Sequence, residues 1–136
     1  MTSYEVHPVA RIESSLRDRA TAPRQADEGA PPARVVFAEK YHPAAADLRP
    51  GDRLVLLTWL HEADREALAV HPRSDPGRPR EGVFSTRSPD RPNPIGLHTV
   101  TVAAVETGVL TVTGLEAIDG TPVLDVKPVL GEVAER

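Results

Sequence analysis

The chain has 136 residues, of which 40% are hydrophobic, 26% charged and 4% aromatic, with 14 prolines and no cysteine; such a length buries one core and not a second sizeable one. A formal charge of -4 excludes a protein that holds nucleic acid by bulk counterion release, so any RNA contact has to come from a local patch. Without cysteine there is no disulfide framework or thiolate metal site, and no stretch reaches the roughly 18 consecutive apolar residues of a spanning helix; the expectation is one domain over 1–136, cytoplasmic, with no membrane partner.

In chain order, Tyr4 to Ile12 reads as a first strand, and residues 17 to 33, polar and Pro/Ala-rich, as a surface loop. Arg34 to Glu39 is a second strand, and Ala44 to Leu48 has room for a helix turn or two. Pro50-Gly51-Asp52 turns the chain into the apolar strand Arg53 to Leu60, which runs out at His61-Glu62. Glu62 to Leu68 is the other short helical possibility. Residues 71 to 94 hold six prolines and five arginines against three acids, with Glu81 to Thr86 as a strand inside them. Leu97 to Val105, Val109 to Val112 and Pro122 to Val129 form a closing meander, separated by Glu106-Thr107-Gly108 and Asp119-Gly120-Thr121-Pro122. This predicts an all-β protein, a small single-domain closed β-barrel with long Pro/Arg-rich loops, because closure is the simplest way for so small a sheet to lose its edges.

The stretch Gly82 to Leu97 is the richest in chemistry. Pro89, Pro92 and Pro94 preshape it, and it presents Arg87, Ser88, Arg91 and Asn93. An arginine fork suits carboxylate or phosphate, and Asn93 can donate and accept at once, as recognition of a base edge requires. The plainer alternative is a stiff surface loop with solvated arginines. Asp119-Gly120-Thr121-Pro122 is a good turn and also a possible adenosine or ribose grip. Period-two alternation puts Val123, Asp125 and Lys127 on one face and Leu124 and Val126 on the other, making Asp125 and Lys127 a polar pair beside a pocket or an exposed ion pair. The five histidines show no ligand spacing, so no metal is expected. No phosphate loop, nucleophile elbow or Gly-x-Gly-x-x-Gly turn occurs.

Gly82-Val83-Phe84-Ser85-Thr86-Arg87-Ser88-Pro89, running into Arg91-Pro92-Asn93-Pro94-Ile95-Gly96-Leu97, closely resembles the signature of the TsaA-like, TrmO-type tRNA methyltransferases. Pro23-Arg24-Gln25, Trp59-Leu60-His61-Glu62 and the stretch Asp119 to Pro128 resemble the same family in the same order, so the likeness covers essentially the whole chain. The resemblance implies a homodimeric β-barrel that takes S-adenosyl-L-methionine and methylates the exocyclic nitrogen of threonylcarbamoyl-adenosine in the tRNA anticodon stem-loop. Carried over by position, the cofactor site comprises Pro23, Arg24, Gln25, His61, Glu62, Arg87, Leu97, Asp119, Gly120, Thr121 and Pro122. Arg91 and Asn93 would meet the substrate, with Arg73, Arg78 and Arg80 extending a phosphate footprint, and Asp125 or His61 would accept the proton. Ser85, Asp90 and Glu62 depart from that family's usual alanine, apolar or aromatic residue, and bacterial glutamine. Asp90 puts a negative charge into a loop that would face RNA. Two alternatives therefore stand beside the tRNA enzyme: methylation of a small-molecule metabolite, and S-adenosyl-L-methionine binding without catalysis.

Overall fold

The computed structural model describes residues 2–16, 31–72 and 75–131. Six strands close into an antiparallel barrel, β1 (Ala10–Glu13), β2 (Ala33–Phe37), β3 (Arg53–Trp59), β6 (Ile95–Glu106), β7 (Val109–Thr113) and β8 (Pro122–Pro128), in the order β1-β2-β7-β6-β3-β8. Two short strands, β4 (Ala69–Val70) and β5 (Glu81–Gly82), pair with each other outside it. The all-β barrel expected from the strand spacing is what forms, and closure leaves β1 paired with β8 so that no barrel strand presents an open edge.

Alternation decides which side chains fill the barrel. On β6, Gly96, His98, Val100 and Val102 point inward while Ile95, Leu97, Thr99 and Thr101 point out. The interior is aliphatic: Ile12, Val35, Leu56, Val112, Leu115 and Val123 are fully buried, each side chain contributing about 1.5–3 kcal/mol by leaving water. Gly108 makes the tight β6–β7 reversal with a positive φ of 72°, a conformation that costs side-chain-bearing residues dearly.

Several local expectations are corrected. The first strand begins at Ala10, and residues 2–8 lie outside any ladder, with Tyr4 and Val6 exposed. Glu81–Thr86 breaks after two strand residues into a 3-10 helix over Val83–Ser85, and a second 3-10 helix covers Glu39–Ala45 rather than Ala44 to Leu48. Pro43 within it has no N–H to continue an α-helical ladder. Glu62 to Leu68 is a run of turns.

The alternation assumed for β8 also fails, for an instructive reason. Leu57 pairs with Asp125 but Thr58 pairs with Val123, so Leu124 is an extra residue on β8. Such a bulge reverses the parity of the strand. Val123 is buried and Asp125 exposed, although they are two residues apart.

A candidate active site at one mouth of the barrel

Because neighbouring strands run in opposite directions, the ends of β1, β3 and β7 and the starts of β2, β6 and β8 share one mouth. Every segment with a candidate residue is attached there. His61 and Glu62 follow β3, the Pro/Arg-rich stretch rejoins the barrel at Ile95, Leu97 is two residues into β6, and Asp119–Pro122 leads into β8. The β1–β2 connection opens at the same mouth; Pro23, Arg24 and Gln25 fall within it but lie outside the described residues, as does Arg73.

The Asp119 turn is laced to the end of β1 from both sides. The Asp119 amide donates to the Leu16 carbonyl at 2.6 Å and the Gly120 amide to Ile12 at 2.8 Å, while Asp119 Oδ1 accepts from the Ser14 amide at 2.9 Å. Thr121 is buried, its hydroxyl donating to the Ile118 carbonyl at 2.7 Å. Gly120 has φ 83° and nothing within 4 Å of where a Cβ would stand, so bare backbone faces open space. Beside this turn lies an open cleft of about 600 Å³ lined by Arg11, Glu13, Ser14, Arg34, Asp119 and Gly120 among others. Glu13 bridges the two arginines, at 2.6 Å from Arg11 and 2.7 Å from Arg34. The hydrogen bond from Arg11, helped by the charges of both guanidinium groups, holds the Glu13 carboxyl below its ordinary range.

The Pro/Arg-rich stretch is braced by its own side chains. Arg91 donates to the carbonyls of Val83, Thr86 and Ser88 at 2.9–3.0 Å, so most of its fork is spent inside the loop that it shapes. Asp90 Oδ1 accepts from the Asp64 amide at 2.8 Å; this carboxylate cross-links the turn after β3 to the loop. Arg65 donates to the Pro92 carbonyl at 2.8 Å and to Asn93 Oδ1 at 3.3 Å, and its guanidinium lies 5.0 Å above the Trp59 ring. Arg87, exposed on this braced frame, makes no hydrogen bond or ion pair among the described residues. Arg78 and Arg80 are exposed, Arg80 donating to the Ala69 carbonyl.

Leu97, Leu57 and Asp125 form one outward row across β6, β3 and β8. Asp125 is ion-paired with Lys127 at 3.3 Å, and Ile95 and Leu97 are nearly half exposed. His61 is exposed on the turn after β3. Among the described residues no three His, Asp or Glu side chains gather to hold a metal.

One group escaped the sequence analysis. Inside the mouth, Thr58 Oγ1 is 2.8 Å from His98 Nε2, and His98 Nδ1 is 2.7 Å from Glu116 Oε1. Residues 40 and 18 positions apart leave no local signal; only the inward phase of His98 on an alternating strand hinted at burial.

Known proteins resemble this chain in sequence and in fold. A probable S-adenosyl-L-methionine-binding protein of Methanothermobacter thermautotrophicus is 40% identical over 124 residues, covering 90% of this chain and 88% of its own length. The probable S-adenosyl-L-methionine-binding protein VirR of Rhizobium radiobacter is 38% identical over 120 residues, covering 88% and 67%. The crystal structure of TrmO from Pseudomonas aeruginosa superposes with a TM-score of 0.75 at 29% identity, over all of this chain and 60% of that one; this chain thus spans less than two thirds of the solved TrmO chain. Residues 11–134 match the model of the tRNA-methyltransferase O N-terminal domain, and the chain belongs to that family.

Proposed function

We propose that the protein is an S-adenosyl-L-methionine-dependent methyltransferase whose acceptor is the exocyclic nitrogen of threonylcarbamoyl-adenosine beside the tRNA anticodon. What supports this is the family match together with the topology, which attaches at one end of the barrel the four sequence-distant segments carrying His61–Glu62, Arg87, Leu97 and Asp119–Pro122, the residues that the family resemblance assigns to the cofactor. The residues present suit an adenosyl amino acid. An acidic side chain and open backbone at Asp119–Gly120 fit ribose hydroxyls, and the exposed Arg87 fork, without a hydrogen bond or ion pair among the described residues, fits a carboxylate.

When bound, the cofactor supplies an electrophilic methyl group on a sulfonium: the carbon passes to the acceptor nitrogen, the sulfur keeps the C–S bonding pair, and the nitrogen sheds one proton. The chain's part is chiefly to align donor and acceptor and to exclude water. His61 and Asp125 are the groups proposed to take the proton; Asp125 stands two strands from Leu97, about 10 Å at usual strand spacing. Arg91 acts on the acceptor indirectly, by shaping the loop that offers Arg87 and Asn93, with Arg78 and Arg80 toward phosphate. Exposed Phe84, Leu68 and Ile95 support a homodimer that covers them, and a tRNA acceptor would go with a cytoplasmic protein.

The net charge of -4 favours a second acceptor class, a small metabolite; methylation that proceeds without tRNA would select it. Tight cofactor binding with no turnover on either acceptor would leave a non-catalytic binding protein. Calorimetric titration with S-adenosyl-L-methionine tests the shared premise. Wild type binds, and Arg87→Ala, still folded, binds about tenfold more weakly; no binding by folded wild type refutes the reading.

A further inference from the structure

Thr58, His98 and Glu116 form a chain of polar side chains beneath the candidate site that the chemistry above does not use. Thr58 is fully buried, His98 is 6% exposed, and the Glu116 side chain is 19% exposed at the rim. A carboxylate only accepts, so His98 Nδ1–H donates to it. Nε2 then accepts the Thr58 hydroxyl proton in the neutral ring, or donates to Oγ1 when the ring is protonated; both links exist in either state.

The order hydroxyl, imidazole, carboxylate is that of a hydrolytic triad, but Thr58 is walled off. A Cβ on Gly96 would stand 2.5 Å from Thr58 Oγ1 and 2.7 Å from His98 Nε2, so the β6 backbone closes over the pair and no substrate carbon can reach the hydroxyl. Around it the core cluster is apolar, so the trio is a polar link within an otherwise mostly apolar interior. What it does is join three elements. Thr58 lies three residues before His61 on β3, His98 adjoins Leu97 on β6, and Glu116 lies three residues before Asp119 on a segment outside every ladder.

We infer that Thr58, His98 and Glu116 are positioning residues, which lock the cofactor-binding turn Asp119–Pro122 in register with Leu97 and His61. This rests on the proposed cofactor site. Main-chain bonds from Asp119 and Gly120 tether the turn to β1 on one side; the Glu116–His98 bond tethers it to β6 and, through Thr58, to β3 on the other. With the second tether cut, the turn keeps its β1 bonds and the Val123–Thr58 strand pairing that follows it, but loses the side-chain link that fixes its approach to β6.

Thr58→Val, Thr58→Ser and Glu116→Ala, prepared in the full chain and compared where each is folded, test this by two readouts. In calorimetry with S-adenosyl-L-methionine, Thr58→Val and Glu116→Ala bind about tenfold more weakly than wild type, while Thr58→Ser, which restores the hydroxyl, stays within about twofold. Hydrogen exchange at the Asp119 and Gly120 amides, which needs no ligand, is about tenfold faster in Glu116→Ala. Affinity and exchange both near wild type in Glu116→Ala, with only a lower melting temperature, overturn the inference by showing that the trio merely stabilises the barrel. If Thr58→Val does not fold, Glu116→Ala decides alone, since Glu116 is the most exposed of the three. A wild type that fails to bind the cofactor refutes the functional reading, and the exchange rates still decide the positioning role.

Discussion

Replacing Gly96 with alanine probes the close approach of β6 to the buried polar trio. The added Cβ would lie 2.5 Å from Thr58 Oγ1, 2.7 Å from His98 Nε2 and 3.0 Å from Leu60 Cδ2, all inside van der Waals contact. Leu60 is the tip of a half-buried side chain and can give, but Thr58 and His98 are fixed by their mutual bond. Overpacking of this kind costs about 1–3 kcal/mol, and parting the two side chains forfeits about 1 kcal/mol of hydrogen bonding. The lower chain entropy of alanine in the unfolded state returns about 0.4–1 kcal/mol. The net loss is about 1–4 kcal/mol, measured as the change in urea midpoint at constant slope. Gly82→Ala is the control, because a Cβ there meets only the Leu68 carbonyl at 4.0 Å; it changes stability by less than about 0.5 kcal/mol. Thr58→Ala in the Gly96→Ala background recovers part of the loss, as expected for sites in contact. A Gly96→Ala protein as stable as Gly82→Ala would refute the close approach of β6 to the polar trio.

Arg91→Ala removes three donors from loop carbonyls, so protease cleavage between residues 83 and 93 quickens by an amount equal to about 1–2 kcal/mol of easier loop opening; Arg91→Lys rescues little, because a point charge cannot span three carbonyls. Cleavage unchanged in Arg91→Ala would show that the prolines alone shape the loop. Glu13, whose carboxyl is held low mainly by the Arg11 hydrogen bond, contributes stability that is present above its unfolded-state pKa and lost as pH falls through its folded value. NMR titration should place its midpoint below that of an ordinary glutamate, and Arg11→Ala should raise it; an unmoved midpoint would assign the shift elsewhere.

Much of the fold was legible because it is written in local periods. The inward phase of Leu54, Leu56, Val100 and Val102 follows from alternation within each strand, and the turns at Gly51, Gly108 and Gly120 carry residues that tolerate positive φ. The Gly82–Leu97 stretch declared itself through composition and family likeness. Its internal assignments did not, because hydrogen-bond partners depend on where a chain folds back. The sequence offered Arg91 as a ligand contact and Asp90 as an ill-placed charge, whereas the structure spends the first on Val83, Thr86 and Ser88 and the second on the Asp64 amide.

What the sequence by itself determined, then, is an all-β chain, its reversals, and the segments rich in polar groups at strand ends. Only tertiary structure decided that these segments are attached at one mouth, since that follows from the closed antiparallel order β1-β2-β7-β6-β3-β8. It decided that Asp125 faces outward and Val123 inward, through the extra residue at Leu124. It also decided that Thr58, His98 and Glu116 touch at all. Periodicity is a property of neighbours along the chain, whereas register, bulges and buried polar contacts are settled between strands far apart in sequence, where one residue of slip exchanges the inside of the barrel for the outside.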